Sequence, residues 1–144
     1  MENKILVGAL EVCKLPEFQI HNLHIRVDTG AKTSSLHVDN IEYFKKDKEK
    51  WVRFDIHPDI HDVTKVVTKE SKIVDMKSIK SSNGEAQQRP VISTLFELGE
   101  HSWPIEITLS DRSNMTYLML LGRQAMNGHI IVDPELEYVQ GNET

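Results

Sequence analysis

"LHIRVDTGAKTSSLH", residues 23–37, is the stretch on which the fold turns. Leu23, Ile25 and Val27 alternate with polar residues, the period-2 pattern of a strand with one buried face. The strand then runs into Asp28-Thr29-Gly30, followed by small and hydroxylated residues. Asp and Gly are turn residues and Thr suits strands, so the tripeptide alone reads as a strand end. By chance it would occur in about one chain in forty of this composition. The surroundings add to that reading. With Ile25 and Val27 facing a core, Asp28 faces the opposite way. Gly30 lets another backbone approach closely, and the short Thr29 hydroxyl can bond to nearby backbone. A carboxylate at a rigid strand end, with no cation immediately beside it, suits proton chemistry.

The same strand signal recurs along the chain. Runs at 4–10, 35–44, 50–57, 64–79, 89–98, 102–109, 115–121 and 129–134 alternate or are β-branched. Turn signals separate them at 47–49, 81–84, 99–102 and 110–114, and Asn83-Gly84 is the strongest hairpin signal. The run "KKDKEK" (45–50) reads as a solvated hairpin tip. Only 122–128, "GRQAMNG", looks helical, a turn or two ended by Asn127-Gly128. The expectation is an all-β barrel or sandwich with one short helix near the C-terminus.

The totals narrow the function classes. A chain of 144 residues is expected to form one domain, residues 1–144. Its apolar fraction of 39% and charged fraction of 27% are those of ordinary soluble proteins. A net charge of −5 argues against general nucleic-acid binding. Cys13 is the sole cysteine, which leaves no intrachain disulfide and no thiolate cluster and fits a reducing, cytoplasmic setting. No run approaches the length of a membrane helix. Ile5–Leu10 reads as a strand rather than a signal segment, because Glu11 interrupts it.

A second motif lies far downstream. An apolar strand reaches Leu120-Leu121-Gly122-Arg123, where the short helix begins. Two strands that each end in glycine can cross closely and hold one loop. Together with Asp28-Thr29-Gly30-Ala31, this resembles the retropepsin-like aspartic proteases. Their signature is Asp-Thr/Ser-Gly-Ala plus a hydrophobic-hydrophobic-Gly strand and a short helix. The chain is more similar still to a bacterial branch of that fold labelled ATP-dependent zinc protease and associated with ATP-grasp glutamate ligases. The matching stretches are 15–18, 27–37, 52–58, 81–92, 105–115, 120–128 and 132–134.

The resemblance implies a retropepsin-like barrel and an aspartic-type endopeptidase needing two carboxylates. With one motif per chain, the second Asp28 comes from a twin in a homodimer. Asp28, Thr29 and Gly30 would be catalytic, Thr29 bonding across the dimer and Gly30 lining the substrate backbone. Ala31 and Lys32 would contact substrate. So would a lid hairpin around 81–89 through Ser82, Asn83, Gly84 and Arg89. Retroviral members carry an acid where this chain has Lys32, so Arg123 either finds another partner or faces solvent. Residues 63–90 hold six basic side chains against three acidic ones. This is either an edge protected by lysines or a basic lid favouring an acidic, glutamate-tailed peptide or protein. The expected partners include neither nucleic acid nor membrane.

The zinc and ATP parts of that label find little in the residues. There is no His-Glu-x-x-His and no phosphate-cradling glycine loop, so no metal and no cofactor is expected. His21 and His24 face opposite sides of a strand. His57 and His61 with Asp59 or Asp62 make only a weak zinc set. Trp51, Trp103 and Phe54 read as core anchors, Ser34 and Ser35 as turn hydroxyls, and Asp133-Pro134 as a strand end. The alternatives to a peptidase are a retropepsin-shaped peptide-binding module without turnover and a zinc-dependent hydrolase.

Overall fold

A computed structural model describes residues 4–58, 64–80, 84–111 and 117–140. The strands are β1 (Ile5–Val7), β2 (Leu10–Leu15), β3 (Ile20–Val27), β4 (Ser34–Lys46), β5 (Glu49–Ile56) and β6 (Val67–Lys72). They continue as β7 (Asp75–Lys80), β8 (Ala86–Leu98), β9 (His101–Asp111), β10 (Met119–Leu121) and β11 (Ile130–Val132). A 3-10 turn, Pro16–Phe18, and one short helix, α1 (Arg123–Met126), complete the described elements.

The large sheet runs β10-β3-β2-β8-β9-β4-β5-β6, and β10 also pairs with β4. That extra pairing bends the sheet into a ring through β10, β3, β2, β8, β9 and β4. Its inner face buries Leu23, Ile25, Leu36, Ile92, Phe96, Ile107 and Met119, and Phe54 of the neighbouring β5 joins the same apolar cluster. The alternation that marked these strands is therefore the imprint of the ring's inside and outside.

Three details depart from the sequence pattern. The apolar run at 5–10 is two strands, not one. It breaks at Gly8, where a Cβ would strike the Leu136 carbonyl of the C-terminal segment. β1 leaves the main sheet and pairs in parallel with β11. The run at 64–79 is likewise two strands, since the chain turns between Lys72 and Asp75. Trp51 is not a core anchor: it is half-buried on β5, with Lys46 Nζ 4.5 Å from its ring centre. Trp103 and Phe54 do lie in the core.

Glu11, which interrupts the first apolar run, is fully buried. Its carboxylate accepts backbone N–H groups from Gly8 at 2.8 Å, Val139 at 2.9 Å and Gln140 at 2.9 Å. Buried polar groups require partners. Here one side chain fastens the C-terminal segment across the start of the sheet, helped by Ala9 N–H to Leu136 O and Tyr138 N–H to Leu10 O.

Candidate active site

β3 ends at Val27, which pairs with Leu121 of the parallel strand β10. The chain then folds back tightly. Asp28 N–H donates to Leu121 O at 2.9 Å, and Ala31 N–H donates to Asp28 O at 3.2 Å. Asp28 Oδ1 accepts Gly30 N–H at 3.0 Å, the side-chain-to-backbone bond of an Asx-turn. The sequence asks for this shape: a short acceptor at 28, a small residue at 30, and a strand that can go no further.

The segment that follows β10 clamps the loop from behind. Arg123 N–H donates to Ala31 O at 2.8 Å and Gln124 N–H to Lys32 O at 3.0 Å, so loop carbonyls satisfy the first free N–H groups of α1. Gly122 N–H donates to Ser34 Oγ at 3.0 Å within the buried interior. The Arg123 guanidinium donates through Nη1 to Thr29 O at 2.9 Å. This resolves the alternative left by Lys32: Arg123 braces the main chain of the loop rather than a neighbouring acid. Trp103 holds α1 from the other side, donating Nε1–H to Ala125 O at 2.9 Å.

Gly122 is where the two segments touch. A Cβ there would collide with the Thr33 carbonyl and lie 2.9 Å from Thr33 Cα. Backbone cannot swing aside as a flexible side chain does. Gly122→Ala is expected to destabilise the protein by about 3 kcal/mol, read from the denaturation midpoint, and to displace the Asp28 loop.

Asp28 is half-buried, whereas Thr29, Gly30 and Lys32 are exposed. The carboxylate thus stands on a rigid, solvent-facing ledge, oriented by Gly30 and backed by β10. Such a ledge can hold a water or a second loop against Asp28.

The remaining site candidates fall elsewhere. β7 and β8 form the antiparallel hairpin anticipated from Asn83-Gly84, in register from Asp75↔Val91 to Lys80↔Ala86. Gly84 has φ +88°, the left-handed conformation such a turn favours. Ser82 and Asn83 lie outside the described residues. Arg89 is half-buried on β8, and its Nε donates to Gln87 Oε1 at 3.0 Å. Of the histidines weighed as ligands, His21 is exposed and His24 buried. His57 Nε2 lies 2.6 Å from Asp39 Oδ2, while Asp59, His61 and Asp62 lie outside the described residues. Among the described residues, no three His, Cys, Asp or Glu side chains gather into a metal-binding group.

Ser34 is a strand residue rather than a turn hydroxyl. The alternation through Ser34, Leu36 and Val38, all buried, was the signal that could have placed it inside. Glu11 and the Arg123–Thr29 contact had no comparable local signal.

A family model described as "RimB-like: Retropepsin-like aspartic endopeptidase RimB" matches residues 6–143. A protein from Shewanella halifaxensis named "Probable alpha-L-glutamate ligase" is 43% identical over 143 residues, which cover 99% of this chain and 31% of the relative. A protein of the same name from Desulfotalea psychrophila is 44% identical over 138 residues, 96% of this chain and 30% of the relative. The chain therefore spans about a third of the length of the curated relatives it matches. Among solved structures, the protein Lpg0085 of Legionella pneumophila, described as of unknown function, aligns with a TM-score of 0.79 at 28% identity. That alignment covers 96% of this chain and 99% of the other.

Proposed function

Because this chain belongs to the RimB-like family of retropepsin-like aspartic endopeptidases, we propose that it is half of an aspartic peptidase, completed by a second copy. The observation that carries the proposal is the Asp28 carboxylate, fixed by Gly30 N–H on a loop held from behind by the segment after β10. One chain offers one such carboxylate. A twofold dimer sets two of them across the axis, since an isologous contact presents the same surface from both sides.

Two carboxylates brought close cannot both ionise cheaply, so the pair shares a proton. The ionised member takes a proton from a water, which attacks the peptide carbonyl. The protonated member hydrogen-bonds the carbonyl oxygen as charge builds on it. The proton then passes to the leaving amine, and the peptide C–N bond breaks. The exposed Thr29 and Gly30 are the surfaces that the partner loop and the substrate backbone would cover.

For the substrate, we favour an acidic, glutamate-tailed peptide or protein. Two observations support this. The hairpin expected to act as a lid carries Lys77, Lys80 and Arg89, and relatives three times longer that contain the matching region are named for glutamate ligation. At low salt, a glutamate-rich peptide should be cleaved about tenfold faster than its glutamine counterpart, and added salt should erase the difference. Equal rates at low salt would remove the substrate assignment and leave the peptidase reading intact.

A further inference from the structure

Arg26 lies on β3, two residues before Asp28. Ile25 and Val27 are buried on the inner face, so Arg26 and Asp28 share the outer one. The alternation carries one step past the strand end, because Asp28 N–H still donates to Leu121 O of β10. Two strand positions separate their Cα atoms by about 7 Å.

A row of Cα partners crosses the sheet at Arg26. Leu10 of β2 stands on one side and Leu120 of β10 on the other, and Ser35 of β4 comes next to Leu120. Partners in such a row share a face. Leu10, Leu120 and Ser35 are half-buried, while Arg26 is exposed. Neither strand beside Arg26 offers it an acid. Other cations on the strands do meet one: Lys14 Nζ lies 3.9 Å from Glu97 Oε1, Arg53 Nη2 2.7 Å from Glu70 Oε2 and Lys72 Nζ 2.9 Å from Glu49 Oε2. Among the described residues the Arg26 guanidinium has neither an ion pair nor a hydrogen bond. The Asp28 carboxylate, nearby on the same face, accepts Gly30 N–H instead.

We propose that Arg26 is a specificity-determining residue of the Asp28 centre, binding the side-chain carboxylate of the substrate residue that directly flanks the bond to be cut. The inference rests on the peptidase reading above and sharpens its substrate. An extended substrate lying across Asp28 advances about 3.4 Å per residue, so the side chain beside the scissile bond falls over the row at Arg26. Leu10 and Leu120 give its methylenes an apolar bed. The guanidinium presents a planar fork that fits a carboxylate with two parallel hydrogen bonds. In a twofold dimer the two copies of Arg26 lie on opposite sides of the bond, so each flanking residue meets one of them. The preferred point of cleavage is therefore a Glu-Glu bond.

The test uses neutral decapeptides that differ only at two central residues, Glu-Glu, Gln-Gln or Lys-Lys, and a fourth with its two glutamates at the ends. Mass spectrometry of the products locates the bond cut and gives kcat/KM. The wild-type chain should cut at Glu-Glu about ten- to a hundredfold faster than at Gln-Gln, and glutamates at the ends should not reproduce the gain. Arg26→Gln should bring that ratio to about one. Arg26→Glu should reverse the preference towards Lys-Lys. Both variants should keep the wild-type melting temperature and sedimentation, as the position is exposed. A Glu-Glu preference that survives Arg26→Gln, or an equal loss on every peptide, would overturn the proposal. Binding to the chain carrying Asp28→Asn separates this inference from the peptidase reading. There the Glu-Glu peptide should lose about tenfold in affinity when Arg26→Gln is added. If the wild-type chain cuts none of the peptides, the peptidase reading fails and this comparison still decides the role of Arg26: an affinity that ignores Arg26 would refute it.

Discussion

Asp28→Asn is expected to abolish peptide hydrolysis and leave the fold untouched. The carboxamide oxygen can still accept Gly30 N–H at the position where Asp28 Oδ1 does so at 3.0 Å. The bonds from Leu121, Ala31 and Arg123 to the loop involve main-chain atoms and survive. What disappears is the group that takes a proton from water. General-base catalysis contributes about 10²–10⁴-fold, and in a dimer both copies lose it at once, so kcat/KM should fall by at least about 10³. The melting temperature should stay within a few degrees, at about the scale of an exposed substitution. Retained cleavage by the pure variant would eliminate Asp28 as the catalytic acid. Unchanged peptide binding by a wild-type chain that never turns over would instead favour a binding module.

Glu11→Ala is expected to be the most damaging single change to stability. Three backbone N–H groups, from Gly8, Val139 and Gln140, lose their acceptor in a buried place. Each orphaned donor costs about 1–3 kcal/mol, softened where the C-terminal segment can detach and find water. A net loss of about 3–5 kcal/mol follows, measured as the shift of the denaturant midpoint at constant slope. Glu11→Gln should lose less, since its single carbonyl oxygen can keep some of these bonds while its NH₂ faces donors. Limited proteolysis should release the C-terminal residues of Glu11→Ala first. A variant as stable as wild type would mean that water or neighbouring groups serve these amides equally well.

The strand framework was legible because burial inside a ring imposes period 2 on every strand that lines it. The pattern through Leu23, Ile25 and Val27 could hardly fold otherwise. The Asp28 loop was legible for a different reason: Asx-turns and close glycine contacts are local, and their residues lie within a few positions of one another. What escaped was set by distance along the chain. Glu11 meets Val139 and Gln140 from the far end of the molecule, and no local pattern tells a buried acceptor from an exposed acid. Arg123 likewise finds Thr29 O, a main-chain atom that leaves no mark in the sequence. Trp51 lies outside the core despite its aromatic bulk, because its strand carries it past the ring onto the β4–β5 hairpin.

The central claim is that two Asp28 carboxylates, one from each of two copies, make one hydrolytic centre. Mixing wild-type chain with Asp28→Asn at fixed total concentration, after subunits have exchanged, tests it directly. If only the dimer with two intact carboxylates cuts peptide, an equal mixture retains about one quarter of the wild-type rate and activity follows the square of the wild-type fraction. A mixture that retains half, with activity linear in that fraction, would mean that each copy works alone and would contradict the account.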